Sequence, residues 1–365
     1  MRSASLKDRT RLDGIFLQAI KQHASDVHLQ ADAPPVLRID GELAPIKNEP
    51  LISRDELETM VTNLLSDEQK KTFATTSDID ISYEMADLTR FRINLYREKD
   101  GPALAARLIP SKLPTMEELH APPIMFQFAE LAQGLILVTG PTGCGKSTTL
   151  AAMIEYINEN RCENIITLED PIEFLYKPKQ CLISQRQLDA DMTSFPSALK
   201  HVLRQDPNVI LVGEMRDPET IATTVTLAET GHLVFATLHT NDAVQTIDRI
   251  IDVFPSHQQQ QIRLQLSFVL KGVISQLLLP KVGGGRIAAR EILVQTTAIS
   301  NLIRENKTLQ INSYLATKKD IGMQSMDQDI RRLFDEKQID EETALFFTRE
   351  PNLYERTDGK RSRFD

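Results

Sequence analysis

The stretch Gly140-Pro-Thr-Gly-Cys-Gly-Lys-Ser147 restricts the fold of this chain more than any other. It matches G-x-x-x-x-G-K-[ST], and its flanks are the ones that pattern needs. The apolar run Leu135-Ile136-Leu137-Val138 precedes it, and a helix-forming stretch from Ser147 to Asn158 follows. A strand, a glycine-rich turn and a helix in that order bring backbone N–H groups and a helix N-terminus to one point, which suits phosphate. Gly140, Gly143 and Gly145 let those N–H groups converge without a Cβ in the way. Lys146 is the candidate cation for β- and γ-phosphates, and the Ser147 hydroxyl is a candidate Mg²⁺ ligand. Pro141, Thr142, Cys144 and Thr148 complete the candidate nucleotide-binding segment. The expected ligands are ATP and Mg²⁺.

Further along, Ile165-Ile166-Thr167-Leu168, Val209-Ile210-Leu211-Val212 and Leu233-Val234-Phe235-Ala236 are short apolar runs between helix-length stretches. Runs like these suit a sheet buried on both faces, so the expected class is α/β. Glu169, Asp170 and Glu173 close the first run, where a doubly wound sheet places its ligand. The same acids would suit the dipole of a helix beginning there. Glu214 closes the second run like the carboxylate of a Walker B strand, with Gly213 where an Asp is expected. It is a candidate to polarise the attacking water or to hold Mg²⁺. His232 and His239 flank the third run, and His239 is the stronger candidate to sense phosphate. The candidate catalytic residues of this half are Lys146, Glu169, Glu173, Glu214 and His239, and the candidate metal set is Ser147, Asp170 and Glu214.

A chain of 365 residues exceeds one core in most proteins, so two or three domains are expected. Residues 1–109 read as an α+β domain. Leu12, Ile15, Phe16, Ala19 and Ile20 share one helical face, and Ser53 with Glu56 predicts a capping box ahead of a second helix. Asp40-Gly41 predicts a hairpin turn. Arg90, Arg92, Arg97 and Arg107 supply guanidinium groups that suit phosphate oxygens, Arg90 and Arg92 on one strand face. Pro110, Pro114, Pro122 and Pro123 punctuate residues 110–123, the expected linker to a domain over 124–365. The polar tail from Glu355 to Asp365 is expected to be disordered.

Composition narrows the function classes. No apolar run approaches the ~20 residues that cross a bilayer, and Leu266 to Leu279 is broken by Ser267, Lys271, Ser275 and Gln276. The N-terminus, with Asp8, Arg9 and Arg11, does not read as a secretory signal, so the expected location is the cytoplasm. Any membrane association would come through a partner rather than by insertion. Cys144, Cys162 and Cys181 share no C-x-x-C spacing, which excludes a tetracysteine zinc site. A net charge of −9 argues against nucleic acid as a partner.

Together these motifs resemble the secretion-type ATPases that drive type II secretion and type IV pili, from Ala24-Ser-Asp-Val-His-Leu29 to the region after Gly322. The resemblance implies a PAS-like N-terminal domain joined to a RecA-like ATPase domain, with six chains in a ring. It implies an Asp box at Glu169, Asp170 and Glu173, a Walker B glutamate at Glu214 and a His box at His232 and His239. It also implies that Arg92 and Arg107 close on the nucleotide. Within the family, short length and the lack of a tetracysteine resemble the retraction branch. So does Ala298-Ile-Ser-Asn-Leu-Ile-Arg-Glu305, which departs from that branch's AIRNLIRE only at Ser300. Cys144 stands where the family usually has Ser. The implied function is a homohexameric ATPase that powers pilus retraction and twitching motility through an inner-membrane platform protein. The alternatives are a pilus assembly or secretion ATPase, a nucleic-acid translocase, and a subunit that binds nucleotide but hydrolyses it poorly. In the AISNLIRE stretch, Ile299, Leu302 and Ile303 predict a buried helical stripe, with Asn301, Arg304 and Glu305 facing outward.

Overall fold

A computed structural model of the chain describes residues 2–39, 41–85, 89–109 and 113–349, with side chains from Arg11 onward. Asp40, Pro110 and the tail from Glu355 to Asp365 lie outside the described residues. The chain divides into two units, Met1–Lys112 and Leu113–Asp365.

The first unit runs α1 (Arg2–Lys21), β1 (Asp26–Leu29), β2 (Val36–Ile39), β3 (Glu42–Pro45), α2 (Arg54–Leu64), α3 (Asp67–Thr76), β4 (Asp78–Glu84), β5 (Arg90–Glu98) and β6 (Gly101–Ile109). Its strands form one antiparallel sheet in the order β3-β2-β1-β6-β5-β4. The stripe read at Leu12, Ile15, Phe16 and Ala19 is buried, and Phe16 stacks on Phe91 of β5 with ring centroids 4.0 Å apart. Ile39 pairs with Glu42, and Gly41 has φ 92°; the other half of the expected turn, Asp40, lies outside the described residues. Ser53 accepts from the Glu56 N–H as expected, but the Glu56 carboxylate engages Arg11 instead of completing a box. The reciprocal box belongs to Ser66 and Gln69 at the start of α3.

In the second unit Leu113 to Pro122 forms neither helix nor strand, yet Met116 is buried in the core. The latter part of the expected linker is therefore packed. The elements then run α4 (Pro123–Glu130), β7 (Gly134–Thr139), α5 (Lys146–Asn160), β8 (Asn164–Glu169), β9 (Leu182–Gln187), α6 (Phe195–Val202), β10 (Val209–Val212), α7 (Pro218–Glu229) and β11 (Leu233–Leu238). They continue with α8 (Ala243–Asp252), α9 (Ser256–Val269), β12 (Leu270–Pro280), β13 (Arg286–Val294), α10 (Thr297–Arg304), α11 (Ile311–Thr317), α12 (Met326–Asp335) and α13 (Glu341–Phe347). Pro123 opens α4 because the first turn of a helix has no partner for its N–H groups.

The second sheet has the order β13-β12-β7-β11-β10-β8-β9, parallel except for β13. Alternate residues of its central strands feed two cores, as a doubly covered sheet requires. Leu135, Leu137, Ile210 and Val212 pack under α6 to α9, while Ile136, Val138, Val209 and Leu211 pack under α4 and α5. Strands β9, β12 and β13 lack the signature of the four central ones. The broken stretch Leu266 to Leu279 is the end of α9 running directly into β12.

Candidate active site

Strand β7 delivers the glycine-rich loop to α5. Gly140, Gly143 and Gly145 all have positive φ, at 139°, 78° and 89°. At Gly140 a Cβ would stand 2.3 Å from the Gln276 carbonyl oxygen and 2.7 Å from Cys144 Sγ, so only glycine fits. Lys146 Nζ donates to the carbonyls of Gly140 and Pro141 at 2.8 and 3.0 Å, arching over its own loop. Ser147 and Thr148 are half-buried in the first turn of α5. Cys144 is buried beneath the loop, and that burial pushes its thiol pKa up against the opposing charge of Lys146. A cavity of about 350 Å³ opens beside Gly145 and Thr148, walled by Leu278, Arg286 and Ile287.

The strand order aligns the loop, His239, Glu214 and the acids after β8 along the C-terminal edge of one parallel sheet, the usual ligand edge of such folds. Glu214 sits at the centre of a charged cluster. Its Oε2 accepts from Arg216 Nη2 at 2.8 Å, and its Oε1 lies 3.3 Å from His239 Nε2. Arg216 also reaches toward Asp170, 3.9 Å away. Burial alone would push the Glu214 pKa up, but the Arg216 hydrogen bond and the charges of His239 and Arg216 outweigh it and hold it low. Gly213 stands in place of the expected Asp because the strands approach closely there. Its N–H donates to Leu168 O at 2.8 Å, and a Cβ would meet that oxygen at 3.1 Å and Glu169 Cα at 3.2 Å.

The three acids after β8 have different surroundings. Glu169 is 8% exposed, accepts from Thr167 Oγ1 at 2.6 Å and from Gln185 Nε2 at 3.2 Å, and burial pushes its pKa up to about 7. Asp170 and Glu173 are exposed. No helix begins at these acids; an irregular segment leads to β9, so the helix-dipole reading is overturned.

His232 does not join the cluster. It precedes β11 while His239 follows it, so the two lie at opposite ends of that strand. Its Nδ1 bonds the Leu227 carbonyl at 2.9 Å and Thr230 Oγ1 at 3.1 Å, closing the end of α7. In the first unit, Arg92 and Arg107 are directly opposed across β5 and β6, a pairing that separation in sequence conceals. Like charges so placed repel. Asp80, 3.5 Å from Arg92, and Asp26, 2.9 Å from Arg107, offset this.

In α10, Ile299, Leu302 and Ile303 are buried and Asn301 is exposed, as expected. Glu305 is exposed and Arg304 half-exposed, its guanidinium 5.8 Å from the ring of the surface residue Phe268. Ser300 is buried. Its hydroxyl donates to Ser267 O and accepts from Gln295 Nε2, both at 2.8 Å. Two residues of the site escaped sequence reasoning. Arg216 stands two positions after Glu214 on its strand end, a signal that was there to read. Gln276 is distant in sequence and carries no local signal.

The model of the type II/IV secretion system protein family matches residues 7–284. The chain belongs to that family. Among family members, a twitching motility protein of Neisseria gonorrhoeae is 50% identical over 311 residues, 85% of this chain and 83% of that protein. The type IV pilus retractation ATPase PilT of Pseudomonas aeruginosa is 46% identical over 324 residues, 89% of this chain and 94% of that protein. The crystal structure of the pilus retraction motor PilT with bound ADP superposes with a TM-score of 0.87 at 44% identity, covering 93% of this chain and 97% of that one. The mixed α/β architecture with two sheets matches that structure. No helix among the described residues is long and apolar enough to cross a membrane.

Proposed function

We propose that this chain is the ATP-hydrolysing motor of type IV pilus retraction, and thereby of twitching motility. The observation that carries the reading is the convergence of the Gly140–Ser147 loop with Glu214, Arg216 and His239 on one sheet edge. Relatives of 46% and 50% identity named for pilus retraction and twitching support the choice of work over other branches of the family. In this reading residues 1–109 form a PAS-like domain, 110–123 a linker and 124–365 a RecA-like ATPase domain. Six copies form a ring in the cytoplasm and act on an inner-membrane platform protein.

The chemistry follows from the side chains. The loop N–H groups take the phosphates of ATP, and Lys146 exchanges its bonds to Gly140 and Pro141 for phosphate oxygens. The low pKa of Glu214 keeps it ionised near neutrality, which suits a group that orients the attacking water. Glu214 is half-buried, so water reaches its carboxylate, and the exposed Arg216 beside it can bring its cation to the charge spread over the transferring phosphoryl group. His239 bonds the other oxygen of Glu214 and holds the carboxylate in place. Arg92 and Arg107 supply further cations. The cavity beside Gly145 and Thr148 takes the nucleoside end.

Mg²⁺ fits the site through the Ser147 hydroxyl, with Asp170 and Glu214 as carboxylates that can act through water. Among the described residues no group of three His, Cys, Asp or Glu side chains could hold a metal. Few protein ligands is the usual case for Mg²⁺ on a nucleotide, which draws most of its shell from phosphate and water. When bound it neutralises phosphate charge.

Lys146→Ala tests the reading. Loss of this cation should reduce turnover of the purified protein by about a hundredfold or more. In cells, a deletion strain should be hyperpiliated and unable to twitch, and the parent gene but not the Lys146→Ala gene should restore motility. Turnover unchanged by Lys146→Ala would sink the phosphate-loop assignment. A deletion strain without pili would sink retraction in favour of assembly.

A further inference from the structure

We propose that Gln276 is a positioning residue for the phosphate loop, holding it in the shape that receives the nucleotide's phosphates. The inference rests on reading Gly140 to Ser147 as that loop. Gln276 follows Ser275 on β12, which is in register with Thr139, the last residue of β7. Its side chain is 2% exposed, so water does not compete for its amide. Nε2 donates to the Cys144 carbonyl, and Oε1 accepts from Thr149 Oγ1 at 2.8 Å. A carbonyl can only accept, which fixes the orientation of the amide. Cys144 belongs to the loop and Thr149 to the first turns of α5, so one side chain ties the two together. Gln276 also approaches two glycines of the loop too closely for a Cβ there, through its backbone at one and its side chain at the other. A Cβ at Gly140 would stand 2.3 Å from its carbonyl oxygen, and one at Gly145 would stand 2.9 Å from Nε2.

Peptide planarity carries this anchor to the phosphates. In a trans peptide the C=O and the following N–H point in opposite directions. The Cys144 carbonyl is drawn toward β12 by Gln276, so the Gly145 N–H is turned away from β12. Gly145 is the N-cap of α5, whose first N–H groups have no helical partner and are available to an anion. Without the amide, a buried carbonyl and a buried hydroxyl lose their partner and the peptide is free to rotate. A rotated peptide points an oxygen, which repels phosphate, where an N–H should be.

The test uses the full chain with ATP and ADP. Gln276→Leu keeps the bulk and removes both hydrogen bonds. It should raise KM for ATP and Kd for ADP together by about tenfold, the worth of a buried hydrogen bond, while melting stays cooperative. Thr149→Val keeps the shape of Thr149 and loses the hydroxyl, so it should weaken ADP binding. Thr149→Ser keeps the hydroxyl and loses the methyl, so it should bind ADP like the parent. A packing role predicts the reverse order for these two variants. That reverse order, or an unchanged KM and Kd in a folded Gln276→Leu, overturns the proposal. Should Gln276→Leu fail to fold, the order of the Thr149 pair decides. A parent chain that neither binds nor hydrolyses ATP removes the phosphate-loop reading and this inference with it. A parent that binds normally beside insensitive variants removes only the role of Gln276.

Discussion

Glu169 ends β8 and Glu214 lies just beyond the end of the neighbouring β10, and their surroundings drive their acidities apart. Glu214, bonded by Arg216 and His239, is held low; Glu169, buried among Thr167 and Gln185, is pushed up to about 7. The first is therefore the better water-orienting group. Glu214→Gln should keep nucleotide binding and lose about a hundredfold or more in turnover; near-normal turnover would return Glu169 and Glu173 to candidacy. Glu169 makes a separate prediction about stability. Its folded pKa lies above its ordinary value of 4.5, so folding takes up a proton between 4.5 and about 7. Its favourable contribution is complete below that window, falls as pH rises through it and is gone above it. Glu169→Gln cannot ionise, so it should melt higher than the parent at about pH 8, with the gap closing by about pH 5. A gap that does not vary with pH would refute the raised acidity.

At the scale of elements, α10 shows how a helical face acquires its roles. Its apolar stripe was legible from spacing alone, but the position of Arg304 depends on Phe268, which belongs to α9. Only packing of the two helices brings ring and guanidinium together. Replacing Arg304 and Glu305 with alanine removes a cation–π contact of about 0.5–1 kcal/mol and an exposed pair between Glu305 and Lys307 that contributes little. Folding and basal ATPase activity should persist, and pilus retraction in cells should be lost. Normal retraction would deny the segment a motor role, and a matching loss of ATPase activity would place it in the catalytic machinery. The strands divide in a similar way. β7, β8, β10 and β11 were legible as apolar runs because both faces are buried. β9, at the sheet edge, has only half-buried and exposed positions, so it carries no such run.

At the scale of the molecule, the first unit leaves the Arg92–Arg107 pair on an exposed sheet face, and the second leaves Leu264, Phe268, Leu309 and Phe346 at its surface. Cations away from the loop's own sheet and uncovered apolar side chains are both features that a ring of identical chains can use. The 41.2-kDa chain should elute as a hexamer when nucleotide is present. A monomer with full ATPase activity would refute the ring.

What the sequence determined by itself was the local chemistry. A phosphate loop, its strand, its helix and the strand-end Glu214 are written in contiguous residues, because backbone conformation and the burial of short runs are local properties. The tertiary structure decided which of these groups meet. It set His239 on Glu214 and opposed Arg92 to Arg107. It also brought Gln276 beneath a loop more than a hundred positions earlier. Each of these depends on strand order and register, which arise from long-range packing and leave no spacing in the chain to read.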